Sequence, residues 1–169
     1  MQNDTTSWLI DGRMVTICAI QPSDTTLEAD FIRDLSALTK HYRLFGAVKA
    51  SPAADVSRRC RVDGFQSMAI LATVQDGGRE VDIGVCRYAP TAKAYAREIA
   101  VTIADDWQHS ELAQILVQHL IEWARRNGVR ELYVELSDNQ TMSHFARTID
   151  MSAARNPEDA TQAIYSLSP

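Results

Sequence analysis

The chain has no run approaching the ~20 apolar residues that a membrane-spanning helix needs. Its start carries no basic-then-apolar signal pattern, so a cytoplasmic protein without a membrane partner is expected. Positive charge is not in excess: 17 Lys and Arg stand against 22 Asp and Glu, for a net charge of −5 and a pI near 5.3. Without a basic stripe, nothing recommends nucleic acid as a partner. Cysteine is scarce. Cys18, Cys60 and Cys86 are odd in number and widely spaced, and two of them fall in apolar strand-like contexts, so core thiols are expected rather than a disulfide or a metal site. His119 and His144 have no partner at metal-ligand spacing. No Ser/His/Asp or Cys/His nucleophile arrangement, internal repeat or low-complexity segment stands out.

What is present is an ordinary globular composition, 46% apolar over 169 residues. It suits a single domain over 1–169, with 1–12 as a loose segment or a short edge element. Met14, Thr16, Cys18 and Ile20 alternate with Val15, Ile17 and Ala19 as a first strand. Asp24 or Thr25 can cap a helix striped by Leu27, Phe31, Leu35 and Leu38, through about Tyr42. Ser51-Pro52 opens a second helix over Ala53–Arg61. Phe65 to Val74 and Val81 to Tyr88 flank Asp76-Gly77-Gly78 as an antiparallel hairpin, and Tyr95–Ile103 continues the meander.

Ala96–Leu136 organises the rest. Ile99, Val101 and Ile103 alternate as a half-buried strand; from Ser110 the period changes, and Leu112, Ile115, Leu116, Leu120, Trp123 and Ala124 mark one helical face. Ser110 suits an N-cap, Gly128 a C-cap, and Arg125 and Arg126 a helix C-terminus. Leu132–Leu136 alternates again, so the two strands should be parallel neighbours joined by a right-handed crossover. A shorter helix from Met142 to Ile149 presents Met142, Phe145, Ala146 and Ile149 to the core. A final hairpin joins Ala153–Arg155 to Ala163–Leu167. The expected fold is α/β, with a mixed, mostly antiparallel sheet.

The loop Asp105-Asp106-Trp107-Gln108-His109-Ser110 leads from a strand into a helix N-terminus, where unpartnered amides can hold a phosphate. Gln108, His109, Ser110, Glu111, Leu112 and Ala113 resemble the acetyl-coenzyme-A-binding hexad Gln/Arg-x-x-Gly-x-Gly/Ala of the GNAT superfamily of N-acetyltransferases. Within it, the chain is most similar to bacterial Pat-type protein-lysine acetyltransferase domains. Leu38–Phe45 loosely resembles their Leu-Ser-x-x-Ser-Arg-Tyr-x-Arg-Phe. Ile83–Tyr88 resembles their Ile-Val-Gly-Val-Ala-Arg-Tyr. Arg97–Val101 and Asp105–Gln108 resemble Ala-Glu-Phe-Ala-Val and Asp-Asp-Trp-Gln, and Asp138–Arg147 resembles Asp-Asn-Arg-x-Met…Leu-Ala-Arg. Two departures stand out. His109, Glu111 and Ala113 replace the three glycines of those domains, and Ile149-Asp150-Met151 replaces their Leu-Gly-Phe.

The resemblance implies a GNAT fold with six to seven strands and about four helices, acetyl-CoA as co-substrate, and an amine acceptor, either a protein lysine or a small molecule; a homodimer is common in the superfamily. It carries the general-base role onto Glu98, which must neutralise a lysine whose ordinary pKa is near 10.4; apolar neighbours would raise the Glu98 pKa. As an ordinary strand-end residue, Glu98 would instead face solvent or pair with Arg97 or Arg87. Backbone groups of Val101 and Ile103, left free where parallel strands splay, would bind the pantetheine arm and polarise the thioester. Asn139 resembles the asparagine that contacts coenzyme A, or else it is an Asx turn. Glu111 sets a carboxylate where the pyrophosphate would stand, about 5 Å from like charge, a repulsion of roughly 3 kcal/mol at an effective dielectric of 20. Two further readings therefore stand beside the enzyme: a non-catalytic interaction module with weak or no coenzyme A affinity, and a small-molecule sensor using the same cleft.

Overall fold

The structure is a computed structural model that describes residues 5–41, 53–92, 95–137, 140–157 and 162–169. Its strands are β1 (Thr6–Ile10), β2 (Arg13–Ala19), β3 (Met68–Asp76), β4 (Arg79–Pro90), β5 (Ala96–Ile103), β6 (Glu131–Ser137), β7 (Ser152–Arg155) and β8 (Gln162–Leu167). The helices are α1 (Thr25–Asp34), α2 (Ala37–His41), α3 (Ala53–Arg59), α4 (Leu112–Arg126) and α5 (Gln140–Thr148). All eight strands form one sheet in the order β1-β2-β3-β4-β5-β6-β8-β7. β5 and β6 pair in parallel; every other neighbouring pair is antiparallel. No helix among the described residues is long and apolar enough to cross a membrane.

Helices cover both faces. On one, α4 buries Leu112, Ile115, Leu116, Leu120 and Ala124 against Ile70, Cys86, Val101 and Ile103. On the other, Phe31 and Leu35 of the α1 region pack with Ile20, Cys60, Leu71 and Val85. Two glycine-dependent turns set the meander. Asp11 and Gly12 both have positive φ between β1 and β2, as do Gly77 and Gly78 between β3 and β4, the twist-matched geometry of a two-residue hairpin. α4 ends where Val129 N–H donates to Ala124 O (3.0 Å) and Gly128 N–H to Arg125 O (3.2 Å), with Gly128 at φ 70°; this is a Schellman motif.

Of the two alternatives for 1–12, residues 6–10 take the edge strand, and several other expectations are corrected: the sheet has eight strands rather than six or seven, with five helices among the described residues. The expected helix through Leu38 breaks at Leu35, whose ψ of 142° is extended, and α2 restarts after Ser36; Leu38 is exposed. Phe65 lies before β3, in a loop where the Asp63 carboxylate accepts the N–H groups of Phe65, Gln66 and Ser67. The three cysteines are free; Cys60 and Cys86 are buried and Cys18 is half-buried.

Candidate active site

The site is built on a fork. β5 and β6 share three pairs, Ala96 with Glu131, Arg97 with Leu132 and Glu98 with Tyr133. Beyond Glu98, β5 continues to Ile103 paired only with β4, and β6 continues to Ser137 paired with β8. Register shows which backbone groups face the gap. Ala104 N–H donates to Ile83 O at 2.9 Å, which makes Gly84–Ile103 a non-hydrogen-bonded pair, and the unbroken register extends this to Cys86–Val101. The N–H and C=O groups of Val101 and Ile103 therefore point away from β4, into the fork. Glu98 stands on the last shared rung.

The opening of α4 faces the same gap. Its helical ladder starts with Ile115 N–H on Glu111 O (3.0 Å), so Glu111 rather than the expected Ser110 is the N-cap; Ser110, one residue earlier, still accepts from Leu112 N–H through Oγ (3.3 Å). The amides of Ala113 and Gln114 precede that ladder. Glu111 is exposed, and its φ of −74° and ψ of 2° are open to any residue. This backbone has no need of glycine. His109 is exposed, Leu112 is buried in the core, and Ala113 is half-buried.

The loop is pinned from outside. Asp105 accepts from Ser36 N–H (2.9 Å), Ser36 Oγ (2.7 Å) and Thr39 Oγ1 (2.5 Å), and these bonds, that of Thr39 first, hold its pKa down at about 2. Gln108 Nε2 donates to Thr39 Oγ1 at 2.8 Å and reaches Ile103 O at 3.4 Å. The side chain of Gln108 thus fastens the loop to α2. Trp107 is buried beneath, with the Arg13 guanidinium 5.0 Å from its ring centre, a cation–π distance. Nothing in the sequence pattern separated Thr39 from solvated helix residues.

Glu98 is exposed. Arg87 Nη2 donates to Glu28 Oε1 at 2.7 Å, from β4 to the buried face of α1. Arg97 is buried on the α4 side; it donates to Ala96 O and Gln66 Oε1. Glu28 has a signal that sequence reading passed over: it stands three residues before Phe31 and seven before Leu35, on the same helical face. Asn139 lies outside the described residues. His144 is exposed. His119 is half-buried, accepting from Trp8 Nε1 at 3.2 Å. No group of residues that could hold a metal occurs among the described residues.

A cavity of about 750 Å³ lies outside the fork. It lies beside the β3–β4 hairpin end, α1 and the outer side of the loop, between Arg13, Asp24, Arg33, Glu80, Asp82 and Asp106 among others. Asp82 there is buried, accepts from Gly84 N–H at 2.9 Å, and has its pKa raised well above the ordinary value by desolvation. Most of its carboxylates are already engaged: Asp30 and Asp34 with Arg33, Asp105 with α2, and Glu80 with Thr73.

Comparison with known proteins agrees with this architecture. Residues 39–149 match the Acetyltransferase (GNAT) family. An acetyltransferase of Pseudomonas aeruginosa is 38% identical over 160 residues, 94% of this chain and 86% of that protein. Among solved structures, the GNAT domain of S. lividans PAT superposes with a TM-score of 0.82 at 24% identity, covering 98% of this chain and 97% of that one. A GNAT-family acetyltransferase from Streptococcus pneumoniae gives 0.69 at 14% identity, over 91% and 98%. With a family match over most of its length, a close acetyltransferase relative and the shared fold, this chain belongs to the GNAT family of acetyltransferases.

Proposed function

We propose that this protein transfers an acetyl group from acetyl-CoA to a primary amine, with a protein lysine as the acceptor class. The observation that carries the reading is the fork: cleft-facing backbone groups of Val101 and Ile103, the first amides of α4, and a carboxylate at the last shared rung converge on one gap. Acetyl-CoA supplies an activated thioester carbonyl. The N–H groups of Val101 and Ile103 would hold an extended amide-bearing arm and share charge that builds on the carbonyl oxygen. The loop from Gln108 to Ala113 would receive the pyrophosphate on backbone amides, and Asn139 would contact the nucleotide end.

Glu98 accepts a proton from the incoming ammonium, directly or through a water. The neutral nitrogen then forms a C–N bond to the carbonyl carbon as the C–S bond breaks, and the proton that the nitrogen sheds in becoming an amide goes to the leaving thiolate. Exposure of Glu98 suits a base that an acceptor reaches from solvent.

A second reading, a family member reduced to an interaction module, is favoured by one observation: Glu111 sets negative charge beside the amides that would meet pyrophosphate. Calorimetry with acetyl-CoA separates the two. Micromolar binding, with acetylation of lysine peptides abolished by Glu98→Gln, is expected of the enzyme; no binding at millimolar concentration selects the module.

A further inference from the structure

We propose that Thr39 of α2 is a positioning residue for acetyl-CoA: its hydroxyl clasps Asp105 and Gln108, and so holds the loop before α4 in the shape that receives the co-substrate. This role rests on the reading of that loop as the pyrophosphate-binding segment. It brings in a residue outside the resembling hexad, 69 positions ahead of Gln108 in the chain.

The loop has little structure of its own. Between β5 and α4 stands one 3-10 turn, Asp105–Trp107, closed by Trp107 N–H on Ala104 O at 2.8 Å. So short a turn does not fix its own orientation. The next bond, Gln108 N–H to Asp105 O, is long at 3.4 Å. Trp107 is buried, but Asp105 and Gln108 on either side of it are exposed, so polar contacts rather than packing decide where they lie.

α2 depends on the loop in return. Its 5 residues are too few for a helix that stands alone. Ser36 organises its first turn: Oγ accepts from Thr39 N–H at 3.1 Å and the carbonyl from Lys40 N–H at 2.9 Å. Asp105 then accepts the Ser36 N–H and Oγ–H, a carboxylate at a helix N-terminus, where it complements the dipole.

Thr39 joins the two. Its hydroxyl donates to Asp105 Oδ1 (2.5 Å) and accepts from Gln108 Nε2 (2.8 Å), a double role open to a hydroxyl and closed to an apolar side chain. The same Gln108 nitrogen stands 3.4 Å from Ile103 O, a carbonyl that faces the fork. A polar chain therefore runs from α2 through Thr39 and Gln108 to the edge of the fork, tied to the loop at its start and at its middle. The side chains of His109, Glu111 and Ala113 remove the conformational freedom that glycine would give this backbone, so its amides have to stand in place before a phosphate arrives. A clasp closed in advance spares the ligand that ordering.

The test compares Thr39→Val, which keeps the side-chain shape without the hydroxyl, with Thr39→Ser, which keeps the hydroxyl. By calorimetry, Thr39→Val should weaken acetyl-CoA binding about tenfold, the scale of a hydrogen bond to a charged group. KM for acetyl-CoA should rise by a similar factor while kcat at saturation stays unchanged, and Thr39→Ser should return both to wild-type values. In the ligand-free protein, amide exchange from Gln108 to Ala113 should be faster in Thr39→Val and normal in Thr39→Ser. Should Thr39→Val fail to fold, Thr39→Ala carries the same test. Equal affinity in the wild type and Thr39→Val overturns the proposal, as does a fall in kcat with KM unmoved, or a loss that Thr39→Ser does not restore. A wild-type protein that binds no acetyl-CoA would reject the functional reading instead; the ligand-free exchange then judges the clasp by itself, and an unchanged rate in Thr39→Val rejects it.

Discussion

Positions 111 and 150 both carry an acid where the motifs that the sequence resembles have glycine, and the backbone treats the two differently. At the end of α5, Met151 N–H donates to Ala146 O (2.9 Å) and Asp150 N–H to Arg147 O (3.2 Å), with Asp150 at φ 58°. This is the same terminal motif that Gly128 makes after α4, performed by a residue with a Cβ in the left-handed region, where the cost is about 1–2 kcal/mol. Glu111 adopts φ −74° and incurs no such cost. Loss of a glycine is thus conformational at 150 and electrostatic at 111. A motif comparison scores both as the same mismatch.

A third glycine sharpens the contrast, because its need is for space. A Cβ on Gly84 would stand 2.9 Å from Ile103 Cδ1, 3.1 Å from Leu116 Cδ1 and 3.3 Å from Leu112 Cδ2. Gly84→Val should therefore give the largest effect, a loss of about 2–3 kcal/mol by denaturant unfolding, since β4, β5 and the first turn of α4 are wedged apart. Next comes Glu111→Gly. It should tighten acetyl-CoA binding about tenfold, some 1.4 kcal/mol, once solvent has screened the like-charge repulsion, and calorimetry at rising salt should show the gain shrinking. Equal affinity in both proteins would reject the electrostatic account. Asp150→Gly should raise stability by about 1 kcal/mol, a Tm gain of roughly 2–4 °C, and leave acetyl-CoA affinity unchanged. If position 150 alters binding, or position 111 alters Tm by as much, the division between them is wrong.

The smallest effect concerns pH. Burial lowers the His119 pKa, so the folded state resists protonation that the unfolded chain accepts. Stability is then greatest above the unfolded value and declines as pH falls through it toward the folded pKa. His119→Gln should flatten the Tm-against-pH curve slightly between pH 7 and 5, and an unchanged slope would show that the Trp8 contact does not sense the proton.

Much of this was legible in the sequence because periodicity is a local signal. The switch from alternation at Ile99–Ile103 to the helical stripe from Leu112 fixed the crossover and its parallel strands. β1 was legible only as one of two alternatives, although Asp11-Gly12 is a strong hairpin signal, because three of its five residues are exposed and no alternation shows. The break at Leu35 was invisible for another reason. It depends on Asp105, a residue 69 positions away, which accepts from Ser36 N–H ahead of α2. The Glu28–Arg87 pair likewise joins residues 59 positions apart. Long-range polar contacts leave no period to count.

The three-rung union of β5 and β6 has one more consequence. From Ile99 onward, β5 is a strand at the middle of an eight-stranded sheet that is nonetheless a boundary on one side. Boundaries of this kind invite a stray polypeptide when they lie on the outside of a protein. Here β6, with β8 at its back, stands across the opening like a second jamb. Deuterium should enter at Val101 and Ile103 sooner than at Val85 or Cys86, and a guest in the doorway should delay it.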